Sequence, residues 1–283
     1  MKGIILAGGS GSRLYPLSQV ASKQLQAVYD KPMVYYPIVT LMENGVREFC
    51  LISTPRDLPR FEALLGDGSQ WGISIEYLSQ PKPEGIAQAF IIAERFIDGG
   101  PVTLILGDNI FYGDGLDILI RDAMKINNKA TIFGYTVKDP QRYGVVEFNS
   151  EGEITSIEEK PEVPKSDKAV MGLYCYPNSV IEIAKKVKPS SRGEKEITSI
   201  NQSFLDKGLL NLQILGRGFS WLDTGTPESL LEAGQFIQTI EKRQGIKVAC
   251  LEEISFKNKW ISKEKLLELA KELSQTDYGK YLL

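Results

Sequence analysis

Gly3-Ile4-Ile5-Leu6-Ala7-Gly8-Gly9-Ser10-Gly11-Ser12-Arg13 is the stretch that decides how this chain is read. A short apolar run opens directly into a glycine-rich turn. A lone basic residue, Lys23, follows in Ser22-Lys23-Gln24-Leu25. A buried strand that ends in such a turn exposes a row of backbone N–H groups, and glycine lets that backbone take φ > 0 and lie close to a phosphate chain. Arg13 and Lys23 supply charge that amide dipoles cannot. The same glycines also fit a plain turn. Two cations near the end of one strand tip the reading toward a polyphosphate.

Two better-known phosphate loops do not fit. A Walker loop needs a Gly-Lys-Ser/Thr ending, and this one ends Gly11-Ser12-Arg13. The dinucleotide fingerprint needs a third glycine where Leu14 stands, and Pro16 interrupts the helix that should follow. A nicotinamide-dependent oxidoreductase, which the strand–glycine–helix rhythm alone would allow, is disfavoured on both counts.

Composition narrows the chemistry. The 283 residues carry a formal net charge of −3, which argues against a nucleic-acid partner. No apolar run reaches the length of a membrane span, and the N-terminus runs straight into the first strand, so neither a membrane nor a signal peptide is expected. Cys50, Cys175 and Cys250 are far apart and lack metal-ligand spacing, which reads as buried free thiols in a cytoplasm. The chain has no histidine. That removes Ser-His-Asp triads, Cys-His pairs and histidine-ligated zinc together. Chemistry here rests on carboxylates, Lys, Arg, backbone dipoles or a hard metal ion.

The first half alternates. Apolar strand candidates at 4–7, 49–53, 73–78 and 102–106 are separated by helical patterns at 33–43, 57–65 and 85–96. That rhythm predicts a mostly parallel sheet covered on both faces, with ligands at the carboxyl ends of its strands. From about residue 130 the rhythm changes to strands at 131–137, 145–148, 154–158 and 169–176, with a hairpin turn at Asn149-Ser150-Glu151-Gly152. Helices are predicted at 178–187, 197–207, 228–243 and 263–273, and strands near 210–215 and 219–222. One domain is expected over 1–283: a core at about 1–128 and 210–245, an inserted part at 129–209, and a helical end at 246–283.

Leu104-Ile105-Leu106-Gly107-Asp108-Asn109 places a carboxylate just past a buried strand, and Trp221-Leu222-Asp223-Thr224-Gly225-Thr226 repeats the arrangement far along the chain. Either aspartate also fits a turn or cap. Together they could form one Mg²⁺ site, since that ion takes oxygen ligands and keeps positions open for phosphate and water. Gln80-Pro81-Lys82-Pro83-Glu84-Gly85 offers a side-chain amide with both donor and acceptor, enough to read a pyrimidine edge, beside a glycine that could let a base approach. Glu159 and Lys160 end a strand with adjacent opposite charges, and Gly144 in Arg142-Tyr143-Gly144-Val145 could admit a sugar ring.

Taken in order, residues 3–14, 22–25, Tyr29-Asp30-Lys31-Pro32-Met33, 106–109, 142–148, 158–161 and 221–226 resemble the sugar-1-phosphate nucleotidylyltransferases, and most closely the glucose-1-phosphate thymidylyltransferase family of the dTDP-L-rhamnose pathway. The resemblance runs from Met1 to the closing Asp277-Tyr278-Gly279-Lys280-Tyr281-Leu282-Leu283. It implies a Rossmann-like α/β nucleotidyltransferase core with a mixed, mostly parallel sheet, an inserted sugar-binding and dimerisation part, and a homotetramer. It implies joining dTTP and α-D-glucose 1-phosphate into dTDP-glucose with release of pyrophosphate.

By the same resemblance, Leu6, Gly8, Gly9, Gly11, Ser12 and Asp108 would hold the nucleotide, with Gln80 and Gly85 reading thymine. Arg13 and Lys23 would be catalytic. Asn109, Tyr143, Gly144, Glu159, Lys160, Val170 and Trp221 would surround the sugar phosphate, and Asp108 and Asp223 would bind Mg²⁺. A second, regulatory nucleotide site would use Tyr112, Gly113, Gly216, Arg217 and Lys257, the last standing where the family has Arg. The chain also departs from the family pattern at Gln26-Ala27, Met171, Ser199 and Pro227, which leaves sugar specificity less defined than reaction type. A sister enzyme using UTP or another sugar phosphate, or a silent sugar-nucleotide-binding regulatory protein, is the alternative.

Overall fold

In the computed structural model, which describes residues 1–9 and 11–283, the strands in chain order are β1 (Lys2–Leu6), β2 (Ala27–Val28), β3 (Lys31–Pro32), β4 (Glu48–Ser53), β5 (Ser74–Ser79), β6 (Val102–Leu106), β7 (Asn109–Tyr112), β8 (Ala130–Thr136), β9 (Gly144–Phe148), β10 (Ile154–Glu159), β11 (Lys168–Tyr176), β12 (Leu210–Ile214) and β13 (Ser220–Asp223). The expected parallel sheet is present in the first half: β1 lies between β4 and β6, β5 flanks β4, and all three pairings are parallel. Strands buried on both faces read as near-continuous apolar runs, which is why Ile4-Ile5-Leu6 and Val102-Thr103-Leu104-Ile105-Leu106 stand out.

The second half extends the same sheet. Strand β11 runs antiparallel to β6 on one side and to β8 on the other, and its start also meets β9. Strand β10 pairs with β9 through the expected hairpin, and β12 lies parallel to β8. The sheet is therefore mixed, and parallel through its first half.

Alternation along each strand builds two cores. Ile5, Leu51, Ile105 and Leu173 face one layer, while Ile4, Ile52, Leu104 and Tyr174 face the other. Each such fully buried side chain contributes about 1.5–3 kcal/mol. The helix Tyr35–Met42 packs in the first layer, Gln88–Ile92 and Val180–Lys186 in the second.

Two differences from the sequence reading have physical causes. The helix expected over 85–96 starts late, because Lys195 N donates to the Glu84 carbonyl at 2.7 Å and Ala87 N donates to the Lys195 carbonyl at 3.2 Å. It is also split into Gln88–Ile92 and Glu94–Ile97. Strand β7 hides as a short polar-led segment after Asp108, and it exists because β13 pairs with it. The helix Pro227–Gln244 matches expectation: Thr226 caps it by accepting from Ser229 N, Pro227 fills its first position, and Gly245 ends it at φ 67°.

Candidate active site

Leu6 and Leu106 are register partners at the carboxyl ends of β1 and β6. The glycine-rich turn and Asp108 therefore leave the sheet side by side, at the edge where α/β sheets bind ligands. In the turn, Gly9 (φ 99°) and Gly11 (φ 59°) hold left-handed backbone that a side chain would strain. Ser12 and Arg13 sit in a single 3₁₀ turn, Ser12–Leu14, so no long helix follows. Gly8 faces Gln80: a Cβ there would lie 2.8 Å from Gln80 Oε1.

Antiparallel pairing of β7 with β13 sets Asn109 opposite Asp223 and brings the second carboxylate to the first. Thr224 locks the junction by donating its hydroxyl to the Asp108 carbonyl at 2.7 Å. Asp108 pairs with Lys23 and accepts from Asn109 Nδ2 at 3.0 Å. Burial works against ionisation of Asp108, but the Lys23 charge and hydrogen bond outweigh it and hold its pKa below the ordinary carboxylate value. Asp223 goes the other way: burial and then the Asp108 charge raise it, against the pull of Lys23, Arg13 and Arg142. Arg142, which the sequence reading did not single out as a site residue, reaches Asp223 at 3.3 Å and Asp139 at 2.7 Å.

These groups stand at the mouth of a cavity of about 200 Å³ lined by Arg13, Asp108, Asn109, Tyr143, Gly144, Glu159, Lys160, Val170, Trp221 and Asp223. Every residue expected around the sugar phosphate lines it. Asn109 Oδ1 accepts from Trp221 Nε1 at 2.7 Å and from Gly172 N at 3.1 Å. The Tyr143 and Trp221 rings meet at 4.9 Å. Burial and then the Asp223 charge raise the Tyr143 hydroxyl pKa, so it stays protonated and donates to Asp223 at 3.4 Å. Thr198 donates to Glu159 at 2.5 Å, and Arg192 approaches the same carboxylate at 3.5 Å. Lys160 takes φ 46°, an uncommon conformation for a non-glycine residue. Its N–H donates to the Tyr143 carbonyl at 2.9 Å. Sequence reasoning missed Arg142 and Thr198 as site residues, although Arg142 stood inside a motif it quoted.

Leu6, Gly8, Gly9, Gly11, Ser12, Lys23, Gln80 and Gly85 are not in the cavity lining. Leu6 is covered by Gly107, whose N–H donates to its carbonyl at 2.9 Å. Gly85 has a structural reason to be glycine: a Cβ there would meet Lys195 O at 2.3 Å. Met171, one of the departures from the family pattern, follows Val170 of the cavity lining. It lies in the opposite layer from Val170 and Tyr174, because strand alternation turns it away.

The regulatory group is only partly assembled. Tyr112, Gly113 and Lys257 line a larger cavity of about 480 Å³, with Glu43, Lys247 and Glu253. Gly216 and Arg217 do not line it; their loop passes behind Gly113, against which Gly218 and Phe219 pack.

Two carboxylates with hard oxygen donors fit a divalent ion that takes its other ligands from phosphate and water. Among the described residues no cluster of three or more His, Cys, Asp or Glu side chains could hold a metal by itself. That suits an ion shared with a nucleotide.

The model of the nucleotidyl transferase family matches residues 2–240. A glucose-1-phosphate thymidylyltransferase of Neisseria meningitidis is 56% identical over 283 residues, covering 100% of this chain and 98% of the relative. The chain belongs to this family. A glucose-1-phosphate thymidylyltransferase of Mycobacterium tuberculosis is 53% identical, with 100% and 98% covered. A solved Bacillus anthracis structure assigned to that enzyme has a TM-score of 0.77 at 38% identity, covering 83% of this chain and 94% of the other. A UDP-glucose pyrophosphorylase complexed with UDP-glucose superposes with TM-score 0.74 at 22% identity over 84% of this chain and 98% of the other, and shares the fold. As a family member the chain is a nucleotidyltransferase whose loop, carboxylates and cavity sit along one strand edge.

Proposed function

We propose that this nucleotidyltransferase transfers a thymidylyl group from dTTP to α-D-glucose 1-phosphate, giving dTDP-glucose and pyrophosphate. The observation that carries the reading is one convergence. Arg13, Lys23 and Arg142 gather around Asp108 and Asp223, between a glycine-rich turn and a cavity lined by Tyr143, Glu159, Lys160 and Trp221.

The charges set the mechanism. A sugar phosphate is largely dianionic at neutral pH, its second pKa being about 6. Its oxygen attacks the α-phosphorus without a general base; the new P–O bond forms as the bond to the β-phosphate breaks, and pyrophosphate leaves with the electron pair. A chain without histidine is no poorer for this reaction. The barrier is repulsion between anions and the charge gathering on the leaving group. Lys160 pairs with the sugar phosphate, and Arg13 and Lys23 take up charge on pyrophosphate. Gly8, Gly9, Gly11 and Ser12 cradle the phosphates, and Gln80 reads the base. Asp108 and Asp223 would hold a divalent ion, Mg²⁺ in this reading, which would supply further neutralisation of phosphate charge.

The reading carries with it a cytoplasmic homotetramer with the division of labour set out above. An apolar groove lined by Leu17, Ala27, Tyr29, Leu230 and Leu231 supports self-association. Among the described residues no helix is long and apolar enough to cross a membrane. The larger cavity with Tyr112, Gly113 and Lys257 would take a regulatory nucleotide.

The test is pyrophosphate release with Mg²⁺ and α-D-glucose 1-phosphate, comparing dTTP, UTP, CTP and ATP. Release that needs both substrates and is strongest with dTTP is the expected result. Stronger release with UTP would keep the mechanism and change the substrate; release with no pair would overturn the reading.

A further inference from the structure

Gln80 is 4% exposed, and its side chain is held in a fixed chain of hydrogen bonds. Its Nε2 donates to Gln88 Oε1 at 2.7 Å and, more loosely, to the Gly85 carbonyl at 3.4 Å. Gln88 Nε2 in turn donates to Glu84 Oε2 at 2.8 Å. Among the described residues no protein donor reaches Gln80 Oε1, which points at Gly8.

The chemistry of the chain's ends sets its direction. A carboxylate and a backbone carbonyl accept only, whereas a primary amide can present either face. Glu84 therefore obliges Gln88 to donate with Nε2 and leaves Gln88 Oε1 facing Gln80. Gln80 must donate in its turn, and the Gly85 carbonyl demands the same. Turning the Gln80 amide over would set its oxygen against two other acceptors. The free end is thus an acceptor, irrespective of how an isolated glutamine would orient.

We propose that Glu84 and Gln88 are positioning residues that lock Gln80 as an acceptor, so that the site takes pyrimidines with an N–H at ring position 3 and rejects those with a bare nitrogen there. Thymine and uracil carry that N–H; cytosine presents a lone pair. This rests on the reading above that Gln80 faces the base. The lock is polar, with no steric element, and acts through an amide that an unlocked site could flip to suit cytosine.

The test compares dTTP with dCTP, by kcat/KM and by nucleotide dissociation constants, in the full-length protein and four variants. Gln88→Met removes the acceptor that holds Gln80 while keeping the side chain's length. The expected result is a dTTP-to-dCTP ratio reduced about tenfold, through tighter dCTP binding. The exposed Glu84→Gln, which should fold whatever Gln88→Met does, narrows the ratio in the same direction. The exchange Glu84→Gln/Gln88→Glu restores an acceptor-only group beside Gln80 Nε2 and should return the wild-type ratio, an outcome that a purely structural role for Gln88 would not produce. If Gln80→Met changes the ratio while folded Gln88→Met and Glu84→Gln leave it within twofold of wild type, the lock is wrong. If Gln80→Met itself leaves the ratio unchanged, Gln80 does not face the base, and the base subsite fails with it.

Discussion

Lys23 and Asp108, 85 residues apart in sequence, form an ion pair where the glycine-rich turn meets the end of β6. Both side chains are largely buried. Removing one partner of such a pair strands the other charge, at a cost of about 3–5 kcal/mol. Lys23→Met should therefore lose both activity and stability. Lys23→Met/Asp108→Asn should recover much of the lost melting temperature and none of the turnover. A double variant that melts no higher than Lys23→Met would mean that the pair is not what holds this junction.

In the proposed mechanism Arg13 and Asp223 serve chemistry more than folding. Arg13→Ala and Asp223→Asn should each lower turnover by about 100- to 1000-fold, the scale of one preorganised electrostatic contact. Circular dichroism should remain that of the parent. Near-normal pyrophosphate release from either purified variant would contradict the roles assigned.

The two carboxylates already have cationic neighbours: Lys23 on Asp108, and Arg142 on Asp223 at 3.3 Å. A divalent ion arriving alone must displace these cations. One arriving with a triphosphate gives them new anionic partners. Mn²⁺ titrated by electron paramagnetic resonance should bind the nucleotide-free protein weakly and at least about tenfold tighter with dTTP, within the usual range of coupling between sites. Equal affinity with and without nucleotide would refute the coupling.

Gly85 is held at φ 102° with the Lys195 backbone 2.3 Å from where a Cβ would sit. Gly85→Ala combines torsional strain with a backbone clash and should cost about 2–5 kcal/mol. Gly45, at φ 81° with open space around it, isolates the torsional part. Gly45→Ala should cost only about 1 kcal/mol. Equal denaturant midpoints for the two variants would show that the Lys195 contact is not rigid.

Asp57 anchors the segment before Lys23. It accepts from Ser22 N at 3.2 Å, Arg56 at 2.8 Å and Arg60 at 2.6 Å while being 1% exposed. Burial alone would raise its pKa, but the bonds from Arg56 and Arg60 outweigh it and set the folded value below the ordinary one. The native state then binds fewer protons than the unfolded chain on the acid side. Its contribution is fully present above about pH 4, the unfolded value, and is lost as pH falls through the folded value. Urea midpoints measured from pH 7 to pH 3 should fall less steeply for Asp57→Asn than for the parent. Identical slopes would remove Asp57 from the account.

Much of the fold is legible in the sequence itself. Strand β6 is expected at 102–106 and runs Val102–Leu106, because a strand buried on both faces is a nearly continuous apolar run, here interrupted only by Thr103. Asp108 and Asp223 stand out as carboxylates at strand ends, and Tyr143, Glu159, Lys160, Val170 and Trp221 line one cavity. Strand β7 was missed because Asn109 and Tyr112 carry no period of their own; its partner β13 lies more than a hundred residues away. Met171 faces the layer opposite Val170, because a one-residue offset on a strand changes the face.

By itself the sequence determined the chemical vocabulary: no histidine, a glycine-rich turn after a buried strand, paired carboxylates and a few well-placed cations. It also determined the parallel half of the sheet, since apolar periodicity is a local property. Tertiary structure alone decided which charges meet. Pairing of β7 with β13 sets Asp223 beside Asp108, and packing of Lys195 against Gly85 shapes the turn that holds Gln80. Those contacts depend on distances between segments far apart in the chain, and no local pattern of residues encodes such a distance.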